Sequence, residues 1–236
     1  MGDEPWRRVA QSLLRLQSWL SPTFPIGSYS YSHGLEWAVE AGHVHDLQSL
    51  VEWLQADLCY GSVRNEAIFF GEAWRSAKKA DRPMLLQVSE LAAAFRGTAE
   101  FALESAQQAI AAVAVLRQVW PDPLLDWLHE ALDSRSVAPA LAVVLGLRSA
   151  RLGVPETLAL PAYLQSYMSN LVSAGVRLIP LGQTAGQRAI AALEETVLST
   201  SARAQSETIA DLGSAAFAVD LASMAHETQY TRLFRS

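Results

Sequence analysis

Apolar residues recur every three or four positions along this chain, a spacing that suits helices and little else. A helix returns to the same face every 3.6 residues, whereas a strand alternates every two. Trp6, Val9, Leu13, Leu16 and Leu20 therefore fall on one stripe. Leu47, Leu50, Val51, Leu54 and Leu58 make a second, with Asp46 placed to cap it. Leu164, Tyr167, Met168, Leu171 and Val172 make a third, stopped before Pro180.

Proline and glycine divide the rest. Ser21 to Ser32, rich in Pro, Gly, Ser and aromatics, reads as an ordered loop. Helices are predicted from His33 to Ala41, ended by Gly42, and from Arg64 to Ala80, closed by Pro83. A long one follows from about Met84 to Val119, kinked at Gly97, and a short one from Leu124 to Leu132. Leu141, Val144 and Leu145 carry a further face, stopped by Gly153 and Pro155, and Pro161 suits the first turn of the next helix. Ile190, Leu193 and Val197 mark one more, and Phe217, Leu221 and Met224 the last. No Asn-Gly or Asp-Gly hairpin separates alternating runs. The prediction is an all-α fold, a single irregular bundle of roughly eight to ten helices. The helical domain is expected over residues 1–226, with 227–236 as a C-terminal partner-binding tail.

The net charge of −6 and the lack of a basic block argue against nucleic acid as a partner. Cys59 is the single cysteine, so no intrachain disulfide can form; it reads as a small core residue of a chain from a reducing compartment. Met1-Gly2-Asp3-Glu4-Pro5-Trp6 lacks the basic and apolar regions of a signal peptide, and the longest apolar run, Ala109 to Leu116, is too short to span a bilayer. The expectation is a cytoplasmic protein with no membrane segment.

Catalytic constellations are hard to find. Gly182-Gln183-Thr184-Ala185-Gly186-Gln187 lacks the Lys-Ser/Thr pair of a phosphate loop and reads as a helix start. Ser28, Ser30 and Ser32 sit near His33 without a nucleophile elbow, so turn and cap roles are expected. His43-Val44-His45 pairs two imidazoles, but no carboxylate or cysteine completes a site, and His129 stands apart. No stable metal site is expected; His33 and His226 are the weak candidates for transient contact. Glu194-Glu195 reads as a solvated helix face.

Two segments are more specific. Ser21-Pro22-Thr23-Phe24-Pro25-Ile26-Gly27-Ser28-Tyr29-Ser30-Tyr31-Ser32-His33-Gly34-Leu35-Glu36 resembles the N-terminal signature of the UreF family of urease accessory proteins, Phe-Pro-x-Gly-x-aromatic-x-x-Ser-x-Gly-Leu-Glu. His226-Glu227-Thr228-Gln229-Tyr230-Thr231-Arg232-Leu233-Phe234-Arg235-Ser236 resembles that family's terminal His-Glu-x-x-Tyr-Ser-Arg-Leu-Phe-x-Ser. Between them, Ala174 to Gln183 and Val144 to Pro155 match internal motifs in the right order. Departures are local. Ala185 stands where many relatives carry Asp, Thr231 replaces Ser, and Thr98 to Ala112 matches only loosely.

The resemblance implies an all-helical, non-catalytic protein that tends to dimerise and needs no cofactor of its own. It implies binding to a UreD/UreH-type accessory protein and recruitment of the GTPase UreG. The assembly acts on apo-urease, whose active-site lysine is carbamylated and which receives nickel in a GTP-dependent step. The partner-binding candidates lie in the matched motifs: Phe24, Tyr29, Tyr31 and His33 in the loop, then Arg177 and Gln183. The tail adds His226, Glu227, Tyr230, Arg232, Leu233, Phe234 and Arg235. Phe24 and Tyr29 have a second reading as core plugs, and the tail a second reading as a segment docked on its own domain. Two other classes stay in view: a small all-α hydrolase, and a strict GTPase-activating protein with Arg177 as its finger.

Overall fold

The computed structural model describes residues 5–236, so Met1 to Glu4 of the N-terminal segment lie outside the described residues. Among the described residues there are eleven α-helices and no strand. In chain order they are α1 (Pro5–Leu20), α2 (Leu35–Glu40), α3 (Leu47–Tyr60), α4 (Ser62–Lys79), α5 (Arg82–Ala94) and α6 (Ala99–Val119). Then come α7 (Pro123–Asp133), α8 (Leu141–Arg151), α9 (Glu156–Leu178), α10 (Gln183–Ala204) and α11 (Phe217–His226). Short 3₁₀ turns lie at Ser28–Ser30 and Ile209–Asp211.

The centre of the bundle is α8 against α4. A helix that is apolar all round must be enclosed, and α8 is buried on every face from Leu141 to Ala150. Gly146 sets how close the pair comes: a Cβ there would lie 2.4 Å from the Phe70 carbonyl oxygen. Around this pair pack α3, α5, α6, α9 and α10, burying Leu50, Leu54, Leu85, Leu116, Leu164 and Leu193. The stripes of α3 and α9 face inward as their spacing predicts.

Several predicted boundaries move. The long helix is two, α5 and α6, parted at 95–98, where Phe95 leaves helical backbone and Thr98 caps α6 by accepting from the Phe101 N–H at 3.1 Å. Pro83 opens α5 behind the Asp81 cap rather than closing α4, since proline suits a first turn, where its missing N–H has no partner to lose. Pro161 lies inside α9 instead of in its first turn, because Pro155 already starts the helix by accepting from the Leu158 and Ala159 N–H groups. The helix predicted from His33 begins at Leu35, since His33 and Gly34 both have positive φ. Only the second half of the α1 stripe is covered: Leu16 and Trp19 are buried, while Trp6, Val9 and Leu13 are exposed. Cys59 is half-buried, not a core residue.

Gly146→Ala is expected to cost about 1–3 kcal/mol of stability, because the added methyl must push apart two backbones that cannot turn aside. Urea unfolding of the two proteins, with far-ultraviolet circular dichroism reporting a helical native state in both, measures it.

Candidate functional site

The loop before α2 is pinned at several points. Gly27, with φ 72°, turns the chain, and Ser30 Oγ donates to its carbonyl at 2.7 Å. Asn170 on α9 donates to the Ser28 carbonyl at 2.9 Å. Phe24 and Tyr31 are buried, and the Tyr31 hydroxyl donates to Gln107 Oε1 at 2.6 Å. Tyr29 alone of the loop's predicted aromatics faces solvent, 66% exposed. Gly34 has φ 76°, and a Cβ on it would lie 2.8 Å from the Ser223 backbone nitrogen. Only glycine tolerates both, so Gly34 lets α2 run against α11.

The C-terminal segment lies against this loop. Leu233 and Phe234 donate their N–H groups to the buried Glu36 carboxylate at 2.6 and 2.9 Å. Arg235 N–H donates to the Ser30 carbonyl at 2.8 Å, and the Ser32 N–H to the main-chain oxygen of Ser236 at 2.6 Å. Phe234 is 4% exposed, with the Arg177 guanidinium 4.4 Å above its ring, and Arg177 Nη2 donates to the Tyr29 carbonyl at 2.9 Å. Three motifs far apart in sequence thus meet in one seam.

One face of α6 completes it. Glu100, Glu104, Gln107 and Gln108 are spaced so that all four point the same way. Glu100 accepts from Arg232 Nη1 at 2.8 Å and meets the His226 ring at 2.9 Å. Glu104 accepts from the Ser236 hydroxyl at 3.0 Å and from Gln108 at 3.1 Å. Arg235 reaches Gln107 at 3.4 Å.

Beneath the seam a cavity of about 280 Å³ is lined by His33, Glu66, Arg96, Glu104, Tyr163 and Tyr167. The break between α5 and α6 delivers Arg96, which pairs with Glu66 and closes α5 by donating to the Ala92 carbonyl. Tyr163 donates to the other Glu66 oxygen at 3.1 Å. The His33 ring stacks on Phe101, with Nδ1 3.1 Å from Glu104 and Nε2 2.6 Å from the Ser62 hydroxyl and 3.6 Å from Asp57. Burial disfavours the His33 cation, yet Glu104, Asp57 and Glu66 outweigh it, and its pKa lies above the ordinary 6.5. Burial raises Asp57 and, with the surrounding carboxylates, holds the Tyr163 and Tyr167 hydroxyls well above their ordinary range.

Ser62, His33 and Glu104 have the outline of a hydrolytic triad, but the details oppose that chemistry. Ser62 donates to Asp57 at 3.1 Å, so His33 Nε2, 2.6 Å away, meets the hydroxyl as a donor and not as the base that a triad needs. The Val63 N–H is taken by Asp57, and three carboxylates would repel an oxyanion.

The structure sorts the predicted residues. Tyr29, Arg177, Arg232, Leu233 and Arg235 join the seam and keep an exposed side; Tyr230 and Glu227 are exposed beside it. Phe24, Tyr31, His33, His226 and Phe234 are buried, contrary to a role as surface contacts, because each meets a hydrogen-bonding partner or an apolar bed inside; Phe24 takes its second reading, as a core plug. Gln183 is exposed at the first turn of α10, and no hydrogen bond described here ties it to the seam. As weak metal candidates, His33 and His226 fail for a plain reason: every ring nitrogen already faces a carboxylate or hydroxyl. Among the described residues no group of three or more His, Cys, Asp or Glu is placed to hold a metal ion, His43 and His45 included. Sequence reasoning missed Glu36 as an anchor, and with it Asp57, Glu66, Arg96, Glu100 and Glu104. The signal for the α6 pair was the four-residue step on a face that also carries Gln108.

With this geometry in view, the comparisons decide the family. The UreF family model matches residues 44–194. The chain belongs to the UreF family. A "Urease accessory protein UreF" of Rhodopseudomonas palustris (strain BisB5) is 50% identical over 225 residues, covering 95% of this chain and 91% of the relative. Proteins of the same name from Bradyrhizobium diazoefficiens and Xanthobacter autotrophicus are each 45% identical, over 97% and 95% of this chain and 93% and 91% of theirs. The UreF match reaches the loop and tail through these relatives, since the model itself begins at residue 44, past Glu36.

Linkage to pH follows from His33. Its folded pKa is raised, so the stabilisation is complete below pH 6.5 and is lost as pH rises through the folded value. His33→Gln should flatten that decline. Urea midpoints on the alkaline side of pH 6.5 are expected to fall more for the parent chain than for the variant.

Proposed function

We propose that this chain is a non-catalytic adaptor in urease maturation, acting through the surface built over the seam. Full-length similarity to proteins named urease accessory protein UreF carries the accessory role. The convergence of loop, α9 terminus and tail on one face supports the choice of surface. In this reading Tyr29, Tyr230, Leu233 and Arg235 meet a UreD/UreH-type accessory protein and the UreG GTPase. The assembly then acts on apo-urease, with nickel as cargo and GTP hydrolysis confined to the GTPase. Aromatic groups beside arginine are the usual composition of interface hot spots.

The outer face of α11 extends the surface, since Phe217, Leu221 and Met224 are exposed at helical spacing. The uncovered α1 stripe gives a second copy somewhere to pack, in keeping with a homodimer within the complex. The role is cytoplasmic in this reading, and among the described residues no helix is long and apolar enough to cross a membrane. Nucleic acid has no part in it, given the net charge of −6.

The arginine-finger alternative is weaker. A finger must be free to reach a neighbour's phosphates, and Arg177 is held by the Tyr29 and Ser173 carbonyls and by the Phe234 ring. The hydrolase alternative is weaker too, since Ser62 gives its proton to Asp57 and meets His33 as an acceptor.

The test is to replace exposed groups only. Tyr230→Ala with Leu233→Ala should leave helicity and the unfolding midpoint unchanged while reducing co-purification of the two partners by at least about tenfold, the loss of one modest hot spot. Undiminished capture would move the interface elsewhere. Tyr29→Ala should act in the same direction.

A further inference from the structure

His226 ends α11 and is completely buried. Its Nδ1 lies 2.9 and 3.0 Å from the two Glu100 oxygens, and its Nε2 lies 3.0 Å from Glu36 Oε2. A neutral imidazole has one N–H and one lone pair. Here both nitrogens face carboxylates, so one proton beyond the neutral ring must be held in the cluster. Glu36 is unsuited to hold it, because its oxygens already accept from Leu233 N–H, Phe234 N–H and the ring. The extra proton therefore belongs to His226 and Glu100. Burial raises the Glu100 pKa, which favours retaining a proton there.

The charged groups around the cluster can be named element by element. From α2 come Glu36 and, farther out, Glu40, which accepts from Gln229 at 2.5 Å. From α6 come Glu100 and, one turn on, Glu104, which links to His33 and to the Ser236 hydroxyl. From α11 and the tail come Asp220, Glu227, Arg232 and Arg235. Asp220 turns toward Ser214 at 3.2 Å, Arg235 toward Gln107, and Arg232 alone of the cations touches Glu100. Without the extra proton, a ring lone pair would face Glu100, and Glu36 would lie beside it with no cation of its own, since Arg232 pairs with Glu100. The tail amides that hang on Glu36 belong to the same cluster.

We propose that Glu36, His226 and Glu100 form a proton-operated latch: the proton they hold seats residues 229–236 against the loop, and its loss at alkaline pH releases them. This rests on the reading of the seated tail as the partner surface, which the latch would then switch. One linked proton weakens seating by at most about tenfold per pH unit above the titration of the cluster.

Hydrogen exchange of the full-length chain between about pH 6 and pH 9 tests it, corrected for intrinsic rates and read at the Leu233 and Phe234 amides. Their protection should fall by up to about tenfold per pH unit above the titration. In His226→Gln it should be lower at pH 6 and flat, and in His33→Gln the slope should persist. Glu100→Gln gives a second arm, because its amide can donate to Nδ1 of a neutral ring; there the tail should stay seated across the range. Should His226→Gln fail to fold, that arm decides alone. Flat protection in the parent chain, or an unchanged slope in His226→Gln or Glu100→Gln, overturns the latch. Partner capture at the same pH values separates the two ideas. Amides that titrate without any change in capture uphold the latch and remove the partner-surface reading; capture that titrates over unchanging amides removes the latch.

Discussion

A carboxylate taken out of water must be surrounded by donors, and Glu36 obtains its donors from the far end of the chain. Two consecutive backbone N–H groups of the tail and one imidazole of α11 converge on it. The cost of leaving such a charge unmet is several kcal/mol. Glu36 thereby selects one place for the C-terminal segment, and the placement of Phe234 under Arg177 follows. Gly34 is the condition for this arrangement, since a side chain there would drive α2 away from α11. The loop, the end of α9 and the tail are held together by that geometry, and their outer side chains become one surface.

The apolar centre makes such a polar interior tolerable. α8 and α4 pack backbone to backbone at Gly146, and the layers around them bury leucines from five further helices. Against that support the molecule places His33, Glu66, Arg96 and Glu104 around one cavity, with Asp57 beside His33. Each is paired, but the arrangement is poor for turnover: the serine gives its proton to Asp57 rather than to the imidazole, and the carboxylates repel a developing oxyanion. Interlocked groups of this kind fix the shape of the surface above them instead.

Much of the fold was legible because the apolar periodicity is unbroken over most helices. The turns at Gly42, Gly153 and Pro180 were readable for the same reason. What escaped was where backbone geometry or tertiary contact overrides local pattern. The 95–98 break carries one glycine in an otherwise helical run, and Arg96 leaves the helix to reach Glu66. Of the candidate site, the motifs named segments that meet in the seam but not the direction of each side chain. Tyr29 and Tyr31 look alike in sequence, yet one is exposed and the other donates to Gln107 from inside. Glu36, Glu66 and Glu104 were not legible as buried charges, because burial of a charge depends on partners from other helices. Glu100 and Glu104 could have been suspected from their shared face, whereas nothing near Glu36 in sequence announces that His226 will meet it.

The most direct test of the account is the state of the tail in the free protein, with and without the Glu36 charge. In the parent chain alone, with no partner present, the Leu233 and Phe234 amides should exchange slowly. In Glu36→Gln they should exchange freely while helicity is kept, and capture of the accessory partners should fall with them. A free parent chain whose tail amides exchange at unprotected rates would contradict the claim that Glu36 seats the tail and that the seated tail is the surface partners meet.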